Sequence, residues 1–271
     1  MEKLILNNYH HISALGLTAF FITFGSAALI VLLHKLFFLN LDRSLSDVQV
    51  AHLIPTPRYG GLAVFVAIVV SVLLFQQKNI IWIIISSLPI FIIGLAEDCY
   101  LKTSPTLRYL LGACSALFGI FLSGVVLNSI DIVYFDKLLS TPFIAFLFTV
   151  FCIVGLVNAV NLIDGIHGLS SGVCMLMSVS FLVVAQKVGD VELANLAILL
   201  AAASFGLMVF NYPLGKIFLG DSGAYLMGFN IAWVMILLAI RHEDVSKWSL
   251  LAIAAWPTIE TVFSIFRRKL R

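Results

Sequence analysis

The sequence predicts an all-α, polytopic membrane protein. Of its 271 residues, 61% are hydrophobic and 11% charged, against about 25% charged in an ordinary soluble domain. The apolar residues gather into long runs, many near the about 17–25 residues a membrane-spanning helix needs. Within the runs they lack the period-two alternation of a membrane β-strand.

Nine spans are expected, at 12–38, 60–76, 79–95, 107–127, 141–159, 169–187, 192–211, 221–240 and 248–266. The first is too long for the ~7–15-residue core of a signal peptide and reads as a retained anchor. The second, no longer than the third, follows Pro55-Thr-Pro-Arg58-Tyr-Gly-Gly61. The third ends in Gly94-Leu-Ala-Glu97-Asp98, and the fourth follows Ser104-Pro105. The fifth and sixth flank a polar stretch, Asn158-Ala-Val-Asn161-Leu-Ile-Asp164-Gly165-Ile-His167-Gly168. The seventh ends at Asn211-Tyr-Pro213, and the eighth follows Phe218-Leu-Gly220-Asp221-Ser-Gly223. The ninth carries Pro257 and Glu260 ahead of Arg267 and Arg268. No repeat or low-complexity linker divides the chain, so a single domain over 1–271 is expected. Cys99, Cys114, Cys152 and Cys174 form no C-x-x-C pair and read as small apolar residues in or beside the helices. The net charge of +2 comes without a basic stripe and gives no sign of nucleic-acid binding.

Nine spans sort the loops onto two faces. One face collects ten Lys and Arg: Lys35, Arg43, Arg58, Lys102, Arg108, Lys216, Arg267, Arg268, Lys269 and Arg271. The other has six: Lys3, Lys78, Lys137, Lys187, Arg241 and Lys247. The excess makes the first face cytoplasmic. All the glycine-, proline- and acid-bearing stretches quoted above fall on that same face. Polar groups cost several kcal/mol apiece in hydrocarbon unless satisfied, so these stretches are expected to form one pocket between helix ends.

The residue types point to phosphate chemistry. Glu97 and Asp98 are adjacent acids that should either shift in pKa or share a cation. Asp164 and Asp221 each sit in a glycine-containing turn, where a carboxylate also serves as a helix N-cap. Four carboxylates converging on one face suit Mg²⁺ or Mn²⁺ with a phosphate substrate. Zinc is not expected, because no Cys/His pair has ligand spacing. Arg58, Lys102, Arg108 and Lys216 supply cations, and Gly60-Gly61 with Gly220 and Gly223 allow close backbone approach to phosphate. None of the glycine patterns is a Walker A or G-x-G-x-x-G sequence, which excludes the soluble nucleotide folds. His167 reads as base, ligand or hydrogen-bond donor, with His52 a similar candidate, whereas His10, His11 and His242 fall on the other face. Glu260 lies within an apolar run, where an ionised side chain reads as functional or as a partner of Arg267 or Arg268.

From about Pro55 to Arg268 these stretches, in this order, resemble the polyprenyl-phosphate N-acetylhexosamine-1-phosphate transferases. That family includes undecaprenyl-phosphate GlcNAc-1-phosphate transferase and phospho-MurNAc-pentapeptide transferase. The resemblance implies a bacterial inner-membrane enzyme with its site on the cytoplasmic face. It would join the phosphosugar of a UDP-amino sugar to polyprenyl phosphate, release UMP, and start O-antigen or other cell-envelope polysaccharide synthesis. It implies Asp98 as base or phosphate positioner with Glu97 beside it, and Asp164 among the catalytic groups. It implies Asp221 with Asp98 as magnesium ligands. Substrate contacts would come from Arg58, Gly60, Gly61, Lys102, Asn158, Asn161, His167, Asn211, Lys216 and Glu260. A base is not strictly required, since a phosphate monoester is already largely ionised near neutral pH. The partners implied are a UDP-amino sugar, the polyprenyl lipid and the membrane, with a homodimer left open.

Three departures stand out. The acidic pair, often Asp-Asp, is here Glu97-Asp98. His167 takes the place of a second acid, which points away from peptidoglycan and toward surface polysaccharide. The family's His-rich loop and following helix lie beyond Arg271, so the chain reads as C-terminally truncated relative to the family. The competing expectations are a transporter or flippase of a lipid-linked sugar, and an inactive family member.

Overall fold

The computed structural model describes residues 2–37 and 56–269, and every regular element among them is an α-helix. In chain order these are α1 (Glu2–Phe37), α2 (Gly60–Leu74), α3 (Ile81–Ser86), α4 (Leu88–Asp98), α5 (Pro105–Ser123) and α6 (Val133–Leu139). They continue with α7 (Pro142–Leu162), α8 (Leu169–Lys187), α9 (Val191–Asn211), α10 (Gly220–Arg241), α11 (Lys247–Ile253) and α12 (Ala255–Lys269). Of the expected groups, Arg43, His52, Pro55 and Arg271 lie outside the described residues.

Every expected span contains helix, but the count of nine is not reached. Six helices are long and apolar enough to cross a bilayer, or seven if α11 and α12, bent by 74°, form one span. The differences have local causes. At 15 residues, α2 rises about 22 Å, short of a hydrocarbon core of about 30 Å. The third run breaks at Ser87 because Pro89 has no N–H to continue the ladder. There the hydroxyls of Ser86 and Ser87 donate back to the Ile83 and Ile84 carbonyls. The last run breaks at Ala254, three residues before Pro257, for the same reason. Where the chain carries strong cap signals the boundaries are sharp. Ser104 accepts from the Leu107 amide ahead of Pro105, and Gly124 closes α5 in the left-handed region at φ 67°.

The centre of the bundle is α10, packed against α2, α4, α7, α8 and α9. It is apolar around its whole circumference, as a helix surrounded by protein must be. Its Trp233 is fully buried and lies over Gly119 of α5, where a Cβ would come within 2.6 Å of the indole. Outward-facing residues such as Phe21, Leu73, Phe121 and Phe151 are exposed, the arrangement of a multi-pass membrane protein whose surroundings are lipid.

Polar contacts gather at the two ends of the bundle. At one end Gln77 accepts from Asn195 and Arg241 meets Asp190 and Glu192, while His242 meets Asp190 and Lys247 meets Asp131. The other end holds the acidic stretches. There α2 and α10 nearly touch through Gly61, where a Cβ would stand 2.2 Å from the Gly223 amide nitrogen and 2.3 Å from Ser222 Oγ. Gly61→Ala must therefore push the two helices apart, and a loss of about 1–3 kcal/mol or more is expected. A lowered melting temperature in detergent would show it. Gly155→Ala is the control, since nothing lies within 4 Å of its added methyl group.

Candidate active site

The site is assembled on the N-terminus of α10. Just before it, residues 57–61 are stitched to residues 218–219 by the backbone. The Phe218 amide donates to Pro57 O (2.9 Å), Gly60 N to Phe218 O (2.9 Å) and Gly61 N to Leu219 O (2.7 Å). The chain then turns through Gly220 at φ 76°, where a Cβ would sit 2.0 Å from the Arg58 carbonyl oxygen. Only glycine serves at that position, because both the dihedral and the space demand it.

A helix start leaves its leading N–H groups without intrahelical partners and carries partial positive charge. Two remote carboxylates meet both needs. Asp164 Oδ2 accepts from Gly220 N at 3.0 Å. Asp98 Oδ1 accepts from Asp221 N at 2.8 Å, and its Oδ2 accepts from Ser222 N at 3.0 Å and from the Ser222 hydroxyl. The other oxygen of Asp164 accepts from the Ser170 hydroxyl. Burial pushes the Asp164 carboxyl above its usual range, opposed by the Arg58 guanidinium and by its hydrogen bonds to Ser170 and Gly220.

The third carboxylate belongs to α10 itself. Asp221 Oδ1 accepts from Asn161 Nδ2 at 2.7 Å and lies 3.8 Å from the Arg58 guanidinium. Asp98, Asp164, Asn161, Arg58 and Asp221 thus meet at one place although they come from four separate parts of the chain.

Glu97 faces elsewhere. Successive helical residues do not share a face, so Glu97 and Asp98 diverge; of the two expectations for the pair, a pKa shift or a shared cation, the shift is met, and burial is its main cause for both carboxyls. Glu97 is held by the Thr103 hydroxyl, by Arg108 Nε at 3.1 Å and by the Tyr225 hydroxyl at 3.1 Å.

Other expected contacts are redirected. Gly60 and Gly61 were expected against phosphate, but their missing Cβ atoms make room for Phe218 O and for Gly223 with Ser222. They close the protein on itself. Asn211 is buried and spent internally: its amide donates to Ile217 O (2.6 Å) and its carbonyl accepts from Gly168 N (2.6 Å) and Ser171 Oγ (3.1 Å). Its role is to hold the turn before α8 against the segment before α10. His167 braces the same region, with Nδ1 3.3 Å from Pro213 O and its ring edge-on to Phe218 at 5.4 Å. Asn158 donates to Val154 O within its own helix. Lys102 and Lys216 are exposed at this end of the bundle. Glu260 is half-buried on α12, and among the described residues it makes no ion pair with Arg267 or Arg268.

Four participants were not anticipated: Thr103, Ser170, Ser222 and Tyr225. Tyr225 had a readable signal, since it lies four residues after Asp221 and therefore on the same helix face. As a metal centre the donor set is partial. Among the described residues no three or more His, Cys, Asp or Glu side chains are placed to hold an ion by themselves. Asp98 already spends three of a carboxylate's roughly four acceptor positions on α10. Asp221, a hard oxygen donor at the junction, suits the way Mg²⁺ is usually bound, through one or two carboxylates, water and substrate phosphate.

The sequence profile of glycosyl transferase family 4 matches residues 80–239, a span that contains every carboxylate of this junction. A Bacillus subtilis (strain 168) protein named probable undecaprenyl-phosphate N-acetylglucosaminyl 1-phosphate transferase is 29% identical over 218 residues, 78% of this chain and 60% of its own length. A Latilactobacillus sakei phospho-N-acetylmuramoyl-pentapeptide-transferase is 31% identical over 224 residues, 76% of this chain and 67% of its own. A Thermotoga maritima undecaprenyl-phosphate alpha-N-acetylglucosaminyl 1-phosphate transferase is 29% identical over 229 residues, 84% of this chain and 66% of its own. The chain spans about 60–67% of the length of these curated relatives.

Proposed function

Since the chain belongs to glycosyl transferase family 4, we propose that it transfers the phosphosugar of a UDP-N-acetylhexosamine to a polyprenyl phosphate at the α10 N-terminus. The observation that carries this reading is the junction itself. Three carboxylates, an amide and a guanidinium from remote segments meet at a helix end, where a lipid phosphate and a soluble nucleotide can both reach. The relatives named above for undecaprenyl phosphate support the acceptor. The Lys and Arg excess on this face supports a cytoplasmic site in a bacterial inner membrane. His167, in place of a second acid, supports a role in surface polysaccharide such as O-antigen.

In the reaction a phosphate oxygen of the lipid forms a bond to the β-phosphorus. The bond from that phosphorus to the bridging oxygen breaks, and its electron pair leaves with UMP. Little covalent chemistry falls to the protein, so alignment and charge stabilisation carry the rate. Asp221 is the residue that would hold Mg²⁺, which when bound neutralises the developing phosphate charge. Arg58, close to Asp221, and Arg108, beside Glu97, supply cations for the diphosphate. Asn161 orients the Asp221 carboxylate. Asp98 and Asp164 fix the α10 end that presents Asp221. The attacking phosphate is already ionised, so Asp98 need not act as a base, which agrees with its being consumed by α10 donors.

The test uses the full chain in detergent with undecaprenyl phosphate, Mg²⁺ and a panel of UDP-GlcNAc, UDP-GalNAc and UDP-MurNAc-pentapeptide. UMP should appear with an N-acetylhexosamine donor and only when the lipid is present. A chain that releases no UMP with any donor is not this enzyme, and a transporter of lipid-linked sugar then becomes the better reading.

A further inference from the structure

At the end of the bundle away from the acidic stretches, a cavity of about 150 Å³ opens between α7, α10 and α11. Its walls are Phe148 and Cys152 of α7, Met235 and Ala239 of α10, and Leu250 and Leu251 of α11. All six side chains are apolar. Apolar cavities of this size stay dry in proteins and accept apolar ligands. Walls left without contacts forfeit dispersion energy, and the solvent beside these helices is lipid. The filling that suits the cavity is therefore hydrocarbon.

Two observations say which lipid supplies it. The first is depth. Lys247 and Trp248 stand where α11 begins, at the end of the cavity nearest the surface of the bundle. Cys152, the deepest wall residue of α7, comes ten residues after Pro142, where that helix begins. Ten residues rise about 15 Å, the depth of one leaflet in a hydrocarbon core of about 30 Å. The cavity thus matches an acyl chain hanging from the headgroups of this leaflet. A polyprenyl chain held by its phosphate at the acidic junction starts in the other leaflet and would have to cross the midplane to arrive here.

The second observation is the rim. Trp248 is 51% exposed, and Trp and Lys are residues that settle at headgroup depth. Lys247 lines the cavity, and its ammonium meets Asp131 Oδ1 at 2.5 Å. Asp131, itself exposed, also accepts from the Lys247 amide at 3.3 Å. An ammonium has three N–H donors, and Asp131 takes one. The rim therefore presents a positive and a negative group side by side. A headgroup that carries both a phosphate and an ammonium complements the two.

We propose that this cavity is a binding site for one acyl chain of a zwitterionic phospholipid, seated in the leaflet opposite the active site with its phosphate on Lys247. The bound chain joins α7, α10 and α11, and so braces the first half of the bent α11–α12 pair. The site is separate from the acidic junction and does not depend on the transferase reading.

The experiment follows the melting temperature of the full chain, delipidated in detergent, as phosphatidylethanolamine is added. At about 100 times its Kd the lipid should raise the melting temperature by about 5–10 °C. Ala239→Leu fills the cavity with its own side chain and should abolish the response. Lys247→Gln keeps the cavity and loses the charged contact to phosphate, so about tenfold more lipid should be needed for the same shift. Asp221→Asn should respond as wild type does. A wild type that does not shift, or an Ala239→Leu chain that shifts equally, would overturn the proposal. So would a shift produced by undecaprenyl phosphate and not by phosphatidylethanolamine, which would give the cavity to the polyprenyl tail. If Ala239→Leu does not fold, the wild type decides. Trp248 fluorescence, taken as the difference between wild type and Trp248→Phe, should be quenched by phosphatidylethanolamine with brominated chains over the same concentrations, and an unquenched Trp248 would contradict the proposal. No readout here involves UMP, so failure of the transferase reading would be seen separately.

Discussion

Asp221→Asn is expected to reduce UMP release by about 10²–10³-fold, the size of effect found when one preorganised electrostatic group is removed from an active site. The variant keeps the shape of the side chain and an oxygen to accept from Asn161, now 2.7 Å away. What it loses is the negative charge that faces Arg58 at 3.8 Å and that would hold a metal ion. Melting temperature should move little, since the backbone N–H groups of α10 are satisfied by Asp98 and Asp164 and not by Asp221. Turnover equal to wild type would show that the junction is scaffolding and that the reacting groups lie elsewhere.

Asp98→Ala is expected to act in the opposite way, first on stability. One carboxylate accepts from two backbone amides and a hydroxyl at the start of the central helix. Its removal leaves those donors buried without partners next to a helix end that favours negative charge. Hydrogen bonds to a charged group contribute about 1.5–3 kcal/mol each, so losing three of them is expected to cost several kcal/mol. Thermal unfolding in detergent would show it as a large drop, with activity falling in parallel because Asp221 is no longer presented. Asp98→Asn, which retains one acceptor oxygen, should fall between. An Asp98→Ala variant that melts like wild type but is inactive would return Asp98 to the chemical role first expected of it.

The parts of the fold set by local chemistry were readable. The apolar runs located the helices, Ser104-Pro105 and Gly124 marked the ends of α5, and loop parity placed the acidic stretches at one end of the bundle. The breaks at Ser87 and Ala254 were less so. Pro89 and Pro257 are visible in the sequence, but hydropathy averaged over a whole span hides a single missing N–H. In the site, Asp98, Asp164, Asp221 and Arg58 were singled out from their setting and Asn161 through the family resemblance, and the structure brings them together. What could not be read was the direction in which each side chain spends its hydrogen bonds. Asn211 looked like a substrate contact because its partners, Gly168, Ser171 and Ile217, include groups 40 or more residues away. Gly60 and Gly61 looked like a phosphate cradle because close backbone approach has the same sequence signature whether the neighbour is a ligand or another helix. Glu97 and Asp98 looked like a pair because adjacency in sequence is not adjacency around a helix. Tyr225 was missed because aromatic residues are ordinary in apolar runs, and only the remote Glu97 carboxylate gives its hydroxyl a partner.

The central claim is that the group transferred is the phosphosugar and not the sugar alone. Incubating the full chain with undecaprenyl phosphate, Mg²⁺ and the productive UDP-N-acetylhexosamine labelled in its β-phosphate tests this directly. The label should move into the organic-soluble lipid in step with UMP release. Label recovered in UDP, with unlabelled sugar on the lipid, would contradict the account.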